Sequence, residues 1–174
     1  LSKDEVTALG IHVGCPITFD DELEVLNDRF LAARALDNRI GGFMIAQVAR
    51  RLSENKKELP FGLYITNSVQ EEVGQYGARM IAERIQPDVA LVTDVCHDVQ
   101  TPRMETITEG DVRGGHGAAL TYGPAVQYNL LNLIIQAAQE QEIPFQRRTT
   151  GRATGTDTDA IAYSNKGVPA ALAS

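Results

Sequence analysis

The sequence has no tryptophan, only two cysteines and three histidines among its 174 residues, and few aromatics of any kind. Cys15 and Cys96 lie far apart and form no CxxC pair. That excludes a disulfide framework and a thiolate zinc site, and makes a reducing, cytoplasmic setting the default expectation. His12, His97 and His116 are too scattered for a histidine-rich metal site, so metal chemistry would have to lean on carboxylates. Basic residues are in deficit: 16 Lys and Arg face 23 Asp and Glu, for a net charge of -7 and a pI near 4.9. A phosphate backbone is repelled by such a surface, so no nucleic-acid partner is expected. No run approaches the roughly 20 apolar residues that cross a bilayer, so the protein is read as soluble, with no membrane partner. The start shows no basic stretch followed by an apolar one, and it opens at Leu1 without Met. The reading is of a trimmed or partial chain.

What is present is apolar enough to fold, with 43% hydrophobic and 22% charged residues. Residues 1–30 are rich in turn formers. Gly10-Ile11-His12-Val13-Gly14 and Pro16-Ile17-Thr18-Phe19 read as short extended pieces before an acidic stretch at 20–24, the tail of a small β domain. Residues 31–174 switch to alternating helix and strand. Ile40, Phe43, Met44 and Val48 mark a helix ending near Asn55, and 61–69 reads as a strand. Met80, Ile81 and Ile85 mark a second helix before Pro87, and 88–95 a buried strand. The glycine-rich stretch 110–123 is poor in either signal. Val126, Leu130, Leu133, Ile134 and Ala137 predict a further helix, followed by a strand at 145–149, a helix capped near Thr156 or Asp157, and a strand from Val168. The pattern predicts a three-layer α/β/α sandwich with a mixed sheet, in which ligands bind beyond the strand ends.

Three acidic positions follow this pattern. Asp37, in Leu36-Asp37-Asn38-Arg39-Ile40-Gly41-Gly42, is either a helix cap or a ligand, and the two glycines point to a close approach nearby. Glu71-Glu72-Val73-Gly74 follows the expected strand 61–69. Adjacent side chains diverge there, so one carboxylate can bind a cation while its neighbour handles a proton. Asp94 closes the strand 88–95, where burial is unfavourable to a lone charge. Cys96 reads as a small buried residue. His97 reads as structural or as support for the site, Gly114-Gly115-His116-Gly117 as a flexible cleft wall, and Arg147-Arg148 as a solvated pair.

Taken in order, Asp37-Asn38-Arg39-Ile40-Gly41-Gly42, Glu71-Glu72-Val73-Gly74-Gln75-Tyr76-Gly77-Ala78 and Thr154-Gly155-Thr156-Asp157 resemble the signature segments of the tetrahedral and glutamyl aminopeptidases. This is a family of dinuclear metallopeptidases also known as deblocking aminopeptidases or endoglucanases. The likeness runs from about Val13 to Ser174, with Gly14-Cys15-Pro16-Ile17-Thr18-Phe19 as the close of the family's small β-barrel domain. The resemblance implies two divalent metal ions, zinc by default with cobalt or manganese as alternatives. Asp37 would bridge the ions, Glu72 and Asp94 would each be a terminal ligand of one, and Glu71 would be the general base. It also implies a non-proline cis peptide after Asp37 and a substrate cleft lined by Thr156 and Asp157. The substrates would be short peptides with a free amine, and the assembly a homo-oligomer between dimer and dodecamer. The family's two histidine ligands have no counterpart here, so this chain alone is expected to bind metal weakly and to be inactive, the catalytic domain being incomplete at both ends. Two other functions fit the residues: a zinc amidohydrolase acting on N-acyl amino acids, and a non-catalytic α/β assembly module whose carboxylates cap helices.

Overall fold

The computed structural model describes residues 1–56 and 58–174. The chain divides into two compact units, Leu1–Leu36 and Asp37–Ser174.

In the first unit, helix α1 (Lys3–Ala8) starts in a capping box. The Ser2 hydroxyl accepts from the Glu5 N–H at 3.2 Å, and the Glu5 carboxylate accepts from the Ser2 N–H at 2.6 Å. Strands β1 (Glu24–Leu26) and β2 (Phe30–Ala32) pair antiparallel. Their turn carries two left-handed residues, Asn27 and Asp28 (φ 50° and 52°), closed by the Arg29 N–H donating to the Leu26 carbonyl at 3.1 Å. Asn and Asp tolerate this conformation better than other side-chain-bearing residues. The extended pieces expected at 10–14 and 16–19 are not strands. Gly10 and Gly14 take positive φ, and the Cys15 N–H turns back to the His12 carbonyl, so the backbone cannot hold a flat ladder edge there.

The second unit holds helices α2 (Leu36–Glu54, all but its first residue), α3 (Tyr76–Ile85), α4 (Thr106–Glu109), α5 (Tyr128–Glu140) and α6 (Asp157–Ala162). Its strands are β3 (Ala90–Thr93), β4 (Ala118–Tyr122), β5 (Phe145–Thr149) and β6 (Ala170–Ala173), in the order β3-β6-β4-β5. β3 runs parallel to β6 and β4 parallel to β5, while β4 meets β6 antiparallel, so the sheet is mixed as expected. In β6, Ala170, Ala171 and Leu172 are all buried, although successive side chains point to opposite faces. Both faces of that strand are therefore covered. Helices α5 and α6 pack against it, and its alanines let them approach closely. Leu120, Val126, Leu131 and Ile135 form the core, with Tyr122, Ile134, Phe145 and Ala173 against them.

Two expectations fail here. Residues 61–69 belong to no ladder, and Phe61, Leu63 and Ile65 are exposed. Alternation makes a segment fit to be a strand, but only hydrogen bonds to a neighbour make it one. The stretch 110–123, read as neither strand nor helix, contains β4, a central strand of the sheet. Its glycines bracket the strand and do not break it. Gly117 (φ 92°) lets the backbone pass so near the turn before β5 that an added Cβ would lie 2.1 Å from the Pro144 carbonyl oxygen. Gly117→Ala should cost more than about 1 kcal/mol by combining this clash with a conformation alanine resists. Urea unfolding with an unchanged midpoint would refute it.

Candidate active site

One pocket of about 240 Å³ in the second unit is lined by Asp37, Glu71, Glu72 and Asp94, together with Val95, Cys96, His97, Arg148, Thr154, Gly155 and Thr156. The four carboxylates singled out in the sequence thus share a wall, although they come from three separate stretches of chain.

Asp37 is placed by its neighbour. The Asn38 side chain accepts from the Gly41 N–H and donates to the Thr93 carbonyl, both at 2.9 Å. Asn38, not Asp37, therefore caps the helical part of α2, which leaves the Asp37 carboxylate free of that duty. The same amide ties the start of α2 to the end of β3, one residue before Asp94. The Asp37-Asn38 peptide is cis, as the resemblance implied. The close approach expected at Gly41 is that of Asn38 itself, while Gly42 faces open space.

Glu71 and Glu72 sit on a tight turn, not at the end of a paired strand. The Glu71 carbonyl accepts from the N–H groups of Gly74 and Gln75 at 3.1 and 3.0 Å, and Gln70 and Gln75 both adopt left-handed backbone. Gly77 closes the arrangement. Its N–H donates to the Val69 carbonyl at 3.0 Å, and a Cβ there would meet Val69 backbone at 2.4 Å. Asp94 follows β3, with its carboxylate accepting from the Val95 N–H at 2.7 Å.

Thr154 and Thr156, which also line the pocket, are buried with Thr158, and the three are joined through their hydroxyls at 2.9 Å per link. The Asp159 carboxylate fixes the loop by accepting from the Thr154 and Gly155 N–H groups at 3.1 and 2.9 Å. Thr156 caps α6 by accepting from the Thr158 N–H. Asp157 is the first helical residue, not the cap, and its carboxylate accepts from the Ser68 hydroxyl. Its other carboxylate oxygen is buried without a partner. Burial pushes the Asp157 carboxyl above its ordinary range.

The electrostatics follow from this crowding. Glu71 is pushed up to about 7, first by burial and then by the charges of Asp94, Asp157, Glu72 and Asp37. Asp94 is raised by burial and by Asp37, Asp157 and Glu72, against the pull of the Val95 N–H. Acidic side chains thus outnumber the one arginine on the pocket lining, Arg148. Even so, no three His, Cys, Asp or Glu side chains among the described residues come together as a metal-holding group.

Of the histidines, His97 lines the pocket from an exposed position. His116 lies in the turn before β4, and His12 lies in the first unit. Both cysteines are free, and burial raises the Cys96 thiol. Arg148, read as half of a solvated pair, is half-buried on the pocket wall. Its neighbour Arg147 stacks over Phe145 at 4.9 Å. Strand alternation through β5 contained that signal, because two consecutive arginines on a strand must face opposite sides.

Residues 1–174 match the profile of the M42 glutamyl aminopeptidases from end to end. The chain belongs to that family. Among M42 relatives it is 30% identical to the lysyl aminopeptidase of Pyrococcus furiosus over 99% of this chain and 48% of that one. It is 30% identical to the TET aminopeptidase of a thaumarchaeon from marine sediment, with a TM-score of 0.90 over 99% of this chain and 49% of that one. A TET1 structure described as a dodecamer is 25% identical, with a TM-score of 0.71 over 89% of this chain and 44% of the other. This M42 chain therefore spans about half the length of the relatives it matches, and its mixed α/β fold is theirs.

Proposed function

We propose that this chain is the carboxylate-bearing part of a metal-dependent aminopeptidase that releases N-terminal residues from short peptides, with Glu71 as general base. The observation that carries this reading is the pocket shared by Asp37, Glu71, Glu72 and Asp94, in which Glu71 is raised to about 7. A base whose pKa lies near neutrality can take a proton from an activated water and return it to a leaving amine, because it is neither too weak for the first transfer nor too strong for the second. Burial and the neighbouring acids put the Glu71 carboxylate in that range. The buried threonine loop gives its part of the pocket a fixed shape for the peptide to rest on.

Asp37, Glu72 and Asp94 are the residues that would hold divalent cations, zinc first and cobalt or manganese as alternatives. Bound ions of this kind polarise a carbonyl and favour deprotonation of water. The match is one of charge: a pocket whose acidic groups are carboxylates suits hard or borderline cations. It is not one of a completed donor set, since no three ligating side chains converge among the described residues. The family's dodecameric relative supports a homo-oligomer as the working assembly, and the reducing setting inferred from the two free cysteines supports a cytoplasmic one.

The test is a comparison of substrates in the full-length enzyme with added divalent ions. Free-amine peptides should be shortened from the N-terminus, while their N-acetylated counterparts persist. The reverse preference would mean a deacylase. No hydrolysis together with no bound divalent ion would mean a structural module.

A further inference from the structure

We propose that Arg148 is the carboxylate anchor of the pocket, receiving a carboxylate of the substrate from either an acidic side chain or the free C-terminus of a short peptide. The proposal takes the position of the scissile bond from the aminopeptidase reading, but the carboxylate site itself does not depend on it.

Arg148 is the one Lys or Arg among the described residues that line the pocket. It reaches the wall from β5, whose register with β4 pairs it with Thr121, a fully buried position, so the side chain springs from a rigid base. It is half-buried, and it takes part in none of the ion pairs or side-chain hydrogen bonds among the described residues, although four carboxylates share its pocket. A half-buried guanidinium without a partner keeps its five donors available, and their planar fork matches a carboxylate in two parallel hydrogen bonds.

The pocket lining carries both signs: Asp37, Glu71, Glu72 and Asp94 are acidic, and Arg148 is the cation among them. A substrate carboxylate is repelled by the acidic side chains and attracted at Arg148. The ammonium of the same peptide is attracted to the carboxylates. A short zwitterionic peptide, or one beginning with an acidic residue, therefore has one favoured orientation, set by charge before any side-chain fit is considered.

The test uses the full-length enzyme and Arg148→Gln, with Arg148→Lys as the conservative variant. Peptide amides isolate the side-chain source: kcat/KM for Glu-Ala-amide should fall about 10- to 100-fold in the Gln variant, while Gln-Ala-amide moves less than roughly threefold. Leu-Ala against Leu-Ala-amide isolates the C-terminal source in the same way. The Lys variant should recover part of whichever loss is seen. An equal fall on all four substrates would reduce Arg148 to a structural residue, and no change on any would remove it from the site.

Calorimetric binding of glutarate to the metal-free protein gives a readout independent of turnover, and the Gln variant should weaken it by a similar factor. If glutarate binding depends on Arg148 while no peptide is cleaved, the anchor stands and the peptidase reading falls. If peptides are cleaved but glutarate binding ignores Arg148, the anchor falls alone.

Discussion

Glu71→Gln should lower peptide hydrolysis by the full-length enzyme about 10²- to 10⁴-fold, the usual contribution of a positioned acid or base. The metal content per subunit should not change, because Glu71 is not among the three carboxylates assigned to cations. The amide keeps the shape of the side chain and lacks its proton chemistry, so a loss of activity with intact metal separates base from ligand. A variant that retains activity would remove Glu71 from the mechanism. The same substitution has a thermodynamic signature. A glutamate carboxyl titrates near 4.5 when unperturbed, and Glu71 in the fold titrates near 7. The folded chain therefore binds this proton more tightly than the unfolded chain does. The stability it contributes is fully present below about 4.5 and is lost as pH rises through about 7. Asp94 and Asp157 are shifted in the same direction. Without added divalent ions, the difference in Tm between the Gln variant and the parent should widen in favour of the variant across that window. A difference that stays flat would show that the crowding of charge is relieved in solution.

Thr156→Val should destabilise the fold by about 1–3 kcal/mol, because it leaves buried partners without hydrogen bonds at nearly constant volume. The Thr156 hydroxyl sits between those of Thr154 and Thr158 and also accepts from the Thr158 N–H, all at buried positions. Each kcal/mol should lower Tm by about 2–4 °C in a chain of this size. Thr156→Ser keeps the oxygen and should recover most of the loss. Equal melting of the Val variant and the parent would mean that the chain of hydroxyls only decorates the pocket wall.

Much of this organisation was legible in the residues. The apolar spacing from Val126 to Ala137 predicts α5, the run at 145–149 predicts β5, and Asp37, Glu71, Glu72 and Asp94, singled out by their places in the chain, line the pocket. What escaped was set by partners distant in the chain. β4 was hidden because Gly117 reads as a breaker until Pro144 is seen pressing against it. Residues 61–69 looked like a strand because alternation reports which faces could be buried, not whether a neighbour supplies the ladder. The cap of α6 is one of the two residues the pattern offers, Thr156 and not Asp157, whereas the cap of α2 is Asn38 and not Asp37. Arg148 was grouped with Arg147 by adjacency, although the pleat sends consecutive side chains opposite ways.

The Asn38 amide has a consequence for how the pocket is held together. By gripping Thr93 with one end and Gly41 with the other, it acts as a rivet between a helix and a strand. Asp37 and Asp94, one residue to either side of that rivet along their own segments, are thereby held in register with each other, so the spacing of two acids from different elements hangs on one amide.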